Sequence, residues 1–156
     1  MKAVIVDGIR TPFVRAGTAF RSLSAVELGR MAVRELMARS GLPGEAVDEI
    51  VFGTVVHDPH AGNIAREVGL DTLPPSAPAS TVSRACATAH QAFVAAANLI
   101  EVEDAEVVVA GGAESLSHIP ILVSEKLSEA LVRASKAKTV GTRVASLAQL
   151  LSLIHI

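Results

Sequence analysis

In Ser80-Thr81-Val82-Ser83-Arg84-Ala85-Cys86-Ala87-Thr88-Ala89-His90-Gln91-Ala92 a β-branched, strand-like run gives way to an alanine-rich, helical one. Cys86 falls at the join. A thiol there faces the unpaired N–H groups and the positive end of the helix dipole. Both favour the thiolate, which is the nucleophilic form. A lone cysteine is ordinarily a small buried hydrophobe, and its place at this junction argues for more.

The rest of the chain alternates in the same way. Ala3 to Val6 is continuously apolar and predicts a buried first strand. Asp7-Gly8 and Thr11-Pro12 end it, and Arg10 to Arg21 predicts a loop. Ser24 with Glu27 three residues on forms a capping box, with Leu23 and Leu28 placed to staple it. Leu28, Met31, Ala32 and Leu36 recur at helical spacing until Gly41 and Pro43. Ile50 to Val56 predicts the second strand, and Asn63 to Leu70 a short helix. Pro74-Pro75 and Pro78 form a stiff connector. Thr81 to Ser83 belongs to a third strand, Cys86 to Ile100 to the next helix, and Val107 to Ala110 to a fourth strand. The Cys86 helix is apolar nearly all round, so burial on most sides is expected. Such alternation means an α/β fold with a parallel sheet and right-handed crossovers.

Composition sets bounds. At 156 residues the chain has room for one domain with a real core. Half of it is hydrophobic, yet aromatics are only 3%, so alanine, valine and other aliphatics must build that core. The net charge of −2 argues against a general nucleic-acid binder. One cysteine forms no internal disulfide, which suits a reducing compartment. Met1-Lys2 leads straight into the first predicted strand without a secretory signal, and no apolar run is long enough to cross a bilayer. A soluble, cytoplasmic protein is expected.

Ser83 to Ala92 resembles the nucleophile segment of the thiolases. Val107-Val108-Val109-Ala110-Gly111-Gly112-Ala113-Glu114-Ser115 resembles their buried strand ending in Gly-Gly and Glu-Ser. Arg10-Thr11-Pro12-Phe13, Phe52-Gly53-Thr54-Val55-Val56 and Asn63-Ile64-Ala65-Arg66-Glu67 match the same family in the same order, so the resemblance runs from about residue 3 to 150. Ser135-Lys136-Ala137-Lys138 most resembles the fatty-acid-oxidation branch that includes the trifunctional-protein β subunit.

The resemblance implies an N-terminal thiolase half, a βαβαβα-β mixed sheet with helices, over residues 1–115. Residues 116–150 would begin a loop domain, with the final strand and the C-terminal half missing. It implies Cys86 as the nucleophile that carries the acyl thioester, its backbone N–H serving an oxyanion hole. It implies Gly111 and Gly112 in a loop near the active site. It puts Thr81, Val82, Ser83, Asn63 and Arg66 at a dimer interface. Coenzyme A and acyl-CoA enter as substrates, with no bound cofactor and no metal. Partners would be a second copy, in a homodimer or higher oligomer, and a β-oxidation α subunit. The family's Gly-His-Pro and Cys-x-Gly motifs, which supply the activating histidine and a second cysteine, are absent from this sequence. Without them the 156 residues alone are expected to be inactive. Two departures stand out: Ala89 where many thiolases have glycine, and Glu103 in place of a frequent glycine.

Other residues carry weaker chemistry. His57 and His60 have metal-like spacing, but Asp58-Pro59 between them predicts a solvated turn with no third ligand. His90 lies one helical turn past Cys86, where packing competes with contact to the thiolate. Lys126, Arg133, Lys136, Lys138 and Arg143 make a basic stretch: a solvated face, or a surface for CoA phosphates, a partner subunit or an anionic membrane. Leu151-Ser152-Leu153-Ile154-His155-Ile156 resembles the translation of a transposon-end sequencing adapter, which implies that the native chain continues past residue 150. Two other readings remain: a decarboxylating condensing enzyme of the same superfamily, and a non-catalytic thiolase-like binding or assembly module.

Overall fold

Ser24 caps the first helix, α1 (Ala25–Ser40), as its capping box predicts. The Glu27 N–H donates to the Ser24 hydroxyl at 3.2 Å, and the Ser24 N–H donates back to Glu27 Oε2 at 2.7 Å. That backbone bond, then the hydroxyl bond, holds the Glu27 carboxyl below its ordinary range. Gly41 ends α1 in the left-handed region at φ 68. The chain is described in a computed structural model over residues 2–142, 144 and 145.

After a 3-10 turn at Gly44–Ala46 come β1 (Glu49–Gly53), α2 (Ile64–Gly69), β2 (Ala79–Val82), α3 (Thr88–Glu101) and β3 (Val108–Gly112). The strands form one parallel sheet in the order β2-β1-β3, so the expected α/β architecture is present. Gly53 pairs with Val82 on one side and Gly112 on the other, which brings the carboxyl ends of all three strands together. At the other end Asp48 accepts from the Glu106 and Val107 N–H groups at 2.8 and 2.9 Å. These bonds, Val107's the stronger influence, hold the Asp48 carboxyl below its ordinary range.

The core is aliphatic, built around Ile50, Val51, Ile64, Val68 and Val109, with Phe52 its one buried aromatic among the described residues. On α1 the buried row is Gly29, Val33 and Met37 beside Leu28, while Met31, expected inside, is exposed. The cause is a close approach that hydropathy cannot report: a Cβ on Gly29 would lie 2.6 Å from Val68 Cγ2. The absent side chain lets α1 settle on α2 along that row.

Gly53 meets a harder limit. A Cβ there would come within 2.2 Å of Thr88 Cγ2 and 2.7 Å of the Val82 carbonyl oxygen. One obstacle is backbone and the other a buried β-branched side chain, so neither yields easily. Gly53→Ala is expected to cost about 1–3 kcal/mol as an overpacked core position. Urea unfolding of the two proteins checks this, and an unchanged midpoint counts against the packing described.

Element boundaries depart from the sequence-based expectation for identifiable reasons. Ala3 to Val6 lies outside every strand, with Val4, Ile5 and Val6 exposed by 75, 82 and 89%. An apolar run becomes a strand only where another strand's N–H and C=O groups meet it, and neither outer strand of this sheet takes it. β1 stops at Gly53 instead of Val56 because the Val55 and Val56 N–H groups donate to the Glu114 carboxylate at 2.7 and 3.3 Å. β2 stops at Val82, one residue before Ser83. β3 runs through Gly111 and Gly112, which are strand residues and not a strand-end turn. α3 begins at Thr88, not Cys86, and is buried along Thr88, Ala92 and Ala96 while Phe93 and Val94 stand half-exposed. Beyond α3, Glu103 takes the left-handed φ of 63 that glycine adopts at little cost.

The backbone divides into one unit ending at Pro120 and another from Ile121 to Ile156. The second contains α4 (Glu125–Lys136), capped by Ser124, whose hydroxyl accepts from the Leu127 N–H at 3.3 Å. Lys126, Arg133 and Lys136 are exposed on α4 and Lys138 is exposed just beyond it; Arg133 lies 3.8 Å from Glu129. Arg143, His155 and the rest of Leu151–Ile156 lie outside the described residues. No helix among the described residues is long and apolar enough to cross a membrane.

Candidate active site

Open α/β sheets bind ligands beyond the carboxyl ends of their strands, and Cys86 stands at that end. It follows β2 on a tight turn, one residue outside the Ala87 N-cap of α3, and it is exposed. It borders a cleft of about 730 Å³. The floor of that cleft comes from the β1 and β3 ends, including Gly53, Gly111 and Gly112; one wall comes from α3 through Ala89, His90 and Phe93. The loop from Arg10 to Ala16 lines it too, with the Arg10 guanidinium 4.8 Å from the Phe13 ring centre.

Gly111 and Gly112 line this cleft as strand residues, not in a loop. Gly111 also answers a packing demand, since a Cβ there would fall 2.8 Å from Phe52 Cε2. His90 lines the cleft with Cys86, and no hydrogen bond joins them among the described residues. His57 and His60 are exposed on a turn, as expected. Asp58 accepts from the His60 N–H at 2.8 Å and faces its Nδ1 at 2.9 Å. Those contacts, the backbone bond first, hold the Asp58 carboxyl below its ordinary range. No group of three or more potential metal-ligating side chains occurs among the described residues.

Away from the cleft, β2 is an edge strand that carries Thr81 and Val82; Ser83 follows it, Asn63 caps α2 and Arg66 lies on α2. The Asn63 side chain donates to the Ala79 carbonyl at 2.9 Å and accepts from the Thr81 hydroxyl at 2.7 Å. Arg66 donates to the Ala77 carbonyl at 2.9 Å and also to that of Pro75. Both side chains thus brace α2 against β2 and its approach.

Residues that hydropathy and motif reading left without a role complete the site. Glu114 ties the β3 exit to the β1 exit through Val55, Val56 and Thr54, whose hydroxyl lies 3.3 Å from its carboxylate. Ser115 donates to the Leu23 carbonyl at 2.6 Å and anchors the same exit to the start of α1. Thr88 is buried beneath Cys86. Its place three residues after Ala85 is the spacing at which a threonine hydroxyl bonds back to the chain, which is the one signal that marks it.

A parallel α/β domain with its single thiol exposed at the strand ends, beside a cleft, defines the class. Residues 3–155 match the thiolase N-terminal domain family, and the chain belongs to the thiolase family. It is 47% identical over 144 residues to a 3-ketoacyl-CoA thiolase of Escherichia coli strain 55989 and 45% identical to one of Yersinia pestis strain Pestoides F. Each match takes in 92% of this chain and 33% of the relative, so the chain spans about a third of their length. The crystal structure of the Ascaris suum Acat5 thiolase in complex with coenzyme A superposes with a TM-score of 0.72 at 34% identity, covering 75% of this chain and 31% of that one. A Bacillus anthracis acetyl-CoA acetyltransferase gives 0.67 at 32%, covering 70% and 28%.

Proposed function

We propose that the protein is a 3-ketoacyl-CoA thiolase of fatty-acid β-oxidation and that Cys86 is its nucleophile. The observation that carries this is the position of Cys86: exposed, at the strand ends, beside the cleft of a thiolase-family domain. The thiolate attacks the 3-keto carbonyl of a 3-ketoacyl-CoA, with the Cys86 N–H as one donor to the oxygen that gains charge. The bond between C2 and C3 then breaks, C2 takes a proton, and acetyl-CoA leaves. The acyl group stays on Cys86 as a thioester. The thiol of a second coenzyme A attacks that thioester, releasing the shortened acyl-CoA and the free thiol. The proton donors and acceptors for these steps are assigned to the motifs that this sequence does not contain.

Incubation with acetyl-CoA followed by intact-protein mass spectrometry tests the assignment. An acetyl adduct on Cys86 that hydroxylamine removes is expected. An adduct on another residue, or none in a chain extended to carry the Gly-His-Pro and Cys-x-Gly motifs, overturns it.

The Ser135–Lys138 stretch and the 3-ketoacyl-CoA thiolase relatives support the fatty-acid-oxidation branch, and the exposed cations of α4 and Lys138 suit contact with an α subunit. Residues 116–150 are assigned to the start of the loop domain, and a cytoplasmic setting is part of the same proposal.

An edge strand leaves N–H and C=O groups open, which proteins seldom tolerate. We assign β2 with Ser83, braced by Asn63 and Arg66, to a two-fold interface with a second copy. Light scattering on the full-length protein should give a dimer or larger at micromolar concentration; a monomer there removes the assignment.

A further inference from the structure

We propose that Thr88 is a positioning residue for Cys86: its hydroxyl holds Ala85 in a left-handed conformation and so fixes the turn that presents the thiol and the Cys86 N–H to the cleft. The proposal deepens the assignment of Cys86 as nucleophile and rests on it.

Ala85 has φ 46, a region that residues with a Cβ seldom occupy, and it directly precedes Cys86. Such a conformation persists only where its surroundings over-determine it. Here one side chain supplies two of the bonds that do so. Thr88 Oγ1 accepts from the Arg84 N–H at 2.8 Å and donates to the Ala85 carbonyl at 2.7 Å. The hydroxyl therefore grips the backbone at both ends of the Arg84-Ala85 pair. The Thr88 N–H donates to the same Ala85 carbonyl at 3.1 Å, and the Ala87 N–H donates to that of Arg84 at 3.0 Å.

Thr88 is itself immobilised. It is 4% exposed, and its methyl fills the space that the missing Gly53 side chain leaves open. The turn is thus referenced to the end of β1. Cys86 is held between two anchored neighbours, Ala85 and Ala87. A backbone donor fixed in place beside an exposed thiol is what stabilising charge on a substrate oxygen requires.

The test is a double-mutant cycle on wild type, Thr88→Val, Ala85→Gly and the pair. Valine keeps the branched shape and removes the hydroxyl, while glycine accepts a positive φ without help. The readouts are iodoacetamide alkylation of Cys86, the only thiol present, and the 13C shifts of residue 85, which report its backbone conformation. Thr88→Val is expected to slow alkylation about fivefold or more and to move the Ala85 shifts, and the pair is expected to match Ala85→Gly within about twofold. A folded Thr88→Val protein with unchanged alkylation and shifts overturns the proposal, as does a loss that glycine at 85 leaves undiminished. If Thr88→Val fails to fold, a folded double variant supports the proposal and an unfolded one overturns it. A wild-type Cys86 no more reactive than the thiol of the unfolded chain removes the nucleophile assignment instead, and the shifts of residue 85 then decide the role of Thr88 alone.

Discussion

Cys86→Ser in a chain extended to the length of its thiolase relatives is expected to lower kcat/KM for 3-ketoacyl-CoA thiolysis by about 10³-fold or more, the scale on which removing a covalent nucleophile acts. Serine nearly preserves the shape. What it loses is the chemistry: an alkoxide is far harder to generate near neutral pH than a thiolate, and an oxygen ester is harder for coenzyme A to cleave than a thioester. The side chain is exposed, so little core packing changes and the urea midpoint should stay within about 0.5 kcal/mol of wild type in stability. The pairing of lost turnover with an unchanged midpoint is the distinctive result. Activity within tenfold of wild type would show that another group receives the acyl chain.

The local chemistry of the fold was legible and the long-range part was not. The capping box at Ser24 and Glu27 and the Gly41 stop follow from short-range bonds whose partners are adjacent in sequence, and each is present. Ala3 to Val6 shows the opposite case. Its hydropathy satisfies a buried strand, but a strand also needs a partner edge, which composition cannot report. The α3 helix repeats that lesson: Phe93 and Val94 are apolar enough for a core, yet among the described residues only the face along Ala92 and Ala96 is deeply covered. Hydropathy says what a face tolerates; packing partners decide what it receives.

The site divides in the same way. Cys86 was legible because a junction between two periodicities can be seen from sequence. Glu114 was quoted only as part of a motif, since its carboxylate reaches Val55 and Val56 across some sixty positions of chain. Gly53 and Thr88 explain each other only in three dimensions, where one side chain occupies the space that the other lacks. Gly111 and Gly112 looked like turn residues, as glycine pairs often are. In the sheet they allow the Phe52 ring and the Gly53 carbonyl to approach, a role that depends on the strand beside them.

A polypeptide of residues 1–150 is expected to turn over acetoacetyl-CoA at least about 10⁴-fold more slowly than an intact thiolase, because two proton-transfer groups worth about 10²–10⁴-fold each have no counterpart in it. It retains the exposed thiol and the turn that presents it. It carries no Gly-His-Pro or Cys-x-Gly motif, and none of His57, His60, His90 or His118 stands in such a motif. The open cleft beside Cys86 also leaves a bound thioester in contact with water, where electrostatic stabilisation is weak. Exposed apolar side chains at Ile5, Val6, Phe13 and Leu116 add a tendency to self-associate. The assay is the coenzyme-A-dependent loss of acetoacetyl-CoA absorbance, with size-exclusion chromatography to find the non-aggregated fraction. Adding a separately expressed polypeptide that carries the Gly-His-Pro and Cys-x-Gly motifs should raise the rate if the missing groups are the cause. Turnover by residues 1–150 alone near that of an intact thiolase would mean that the cleft holds its own acid and base, and His90, the histidine that shares it with Cys86, would be the first group to replace.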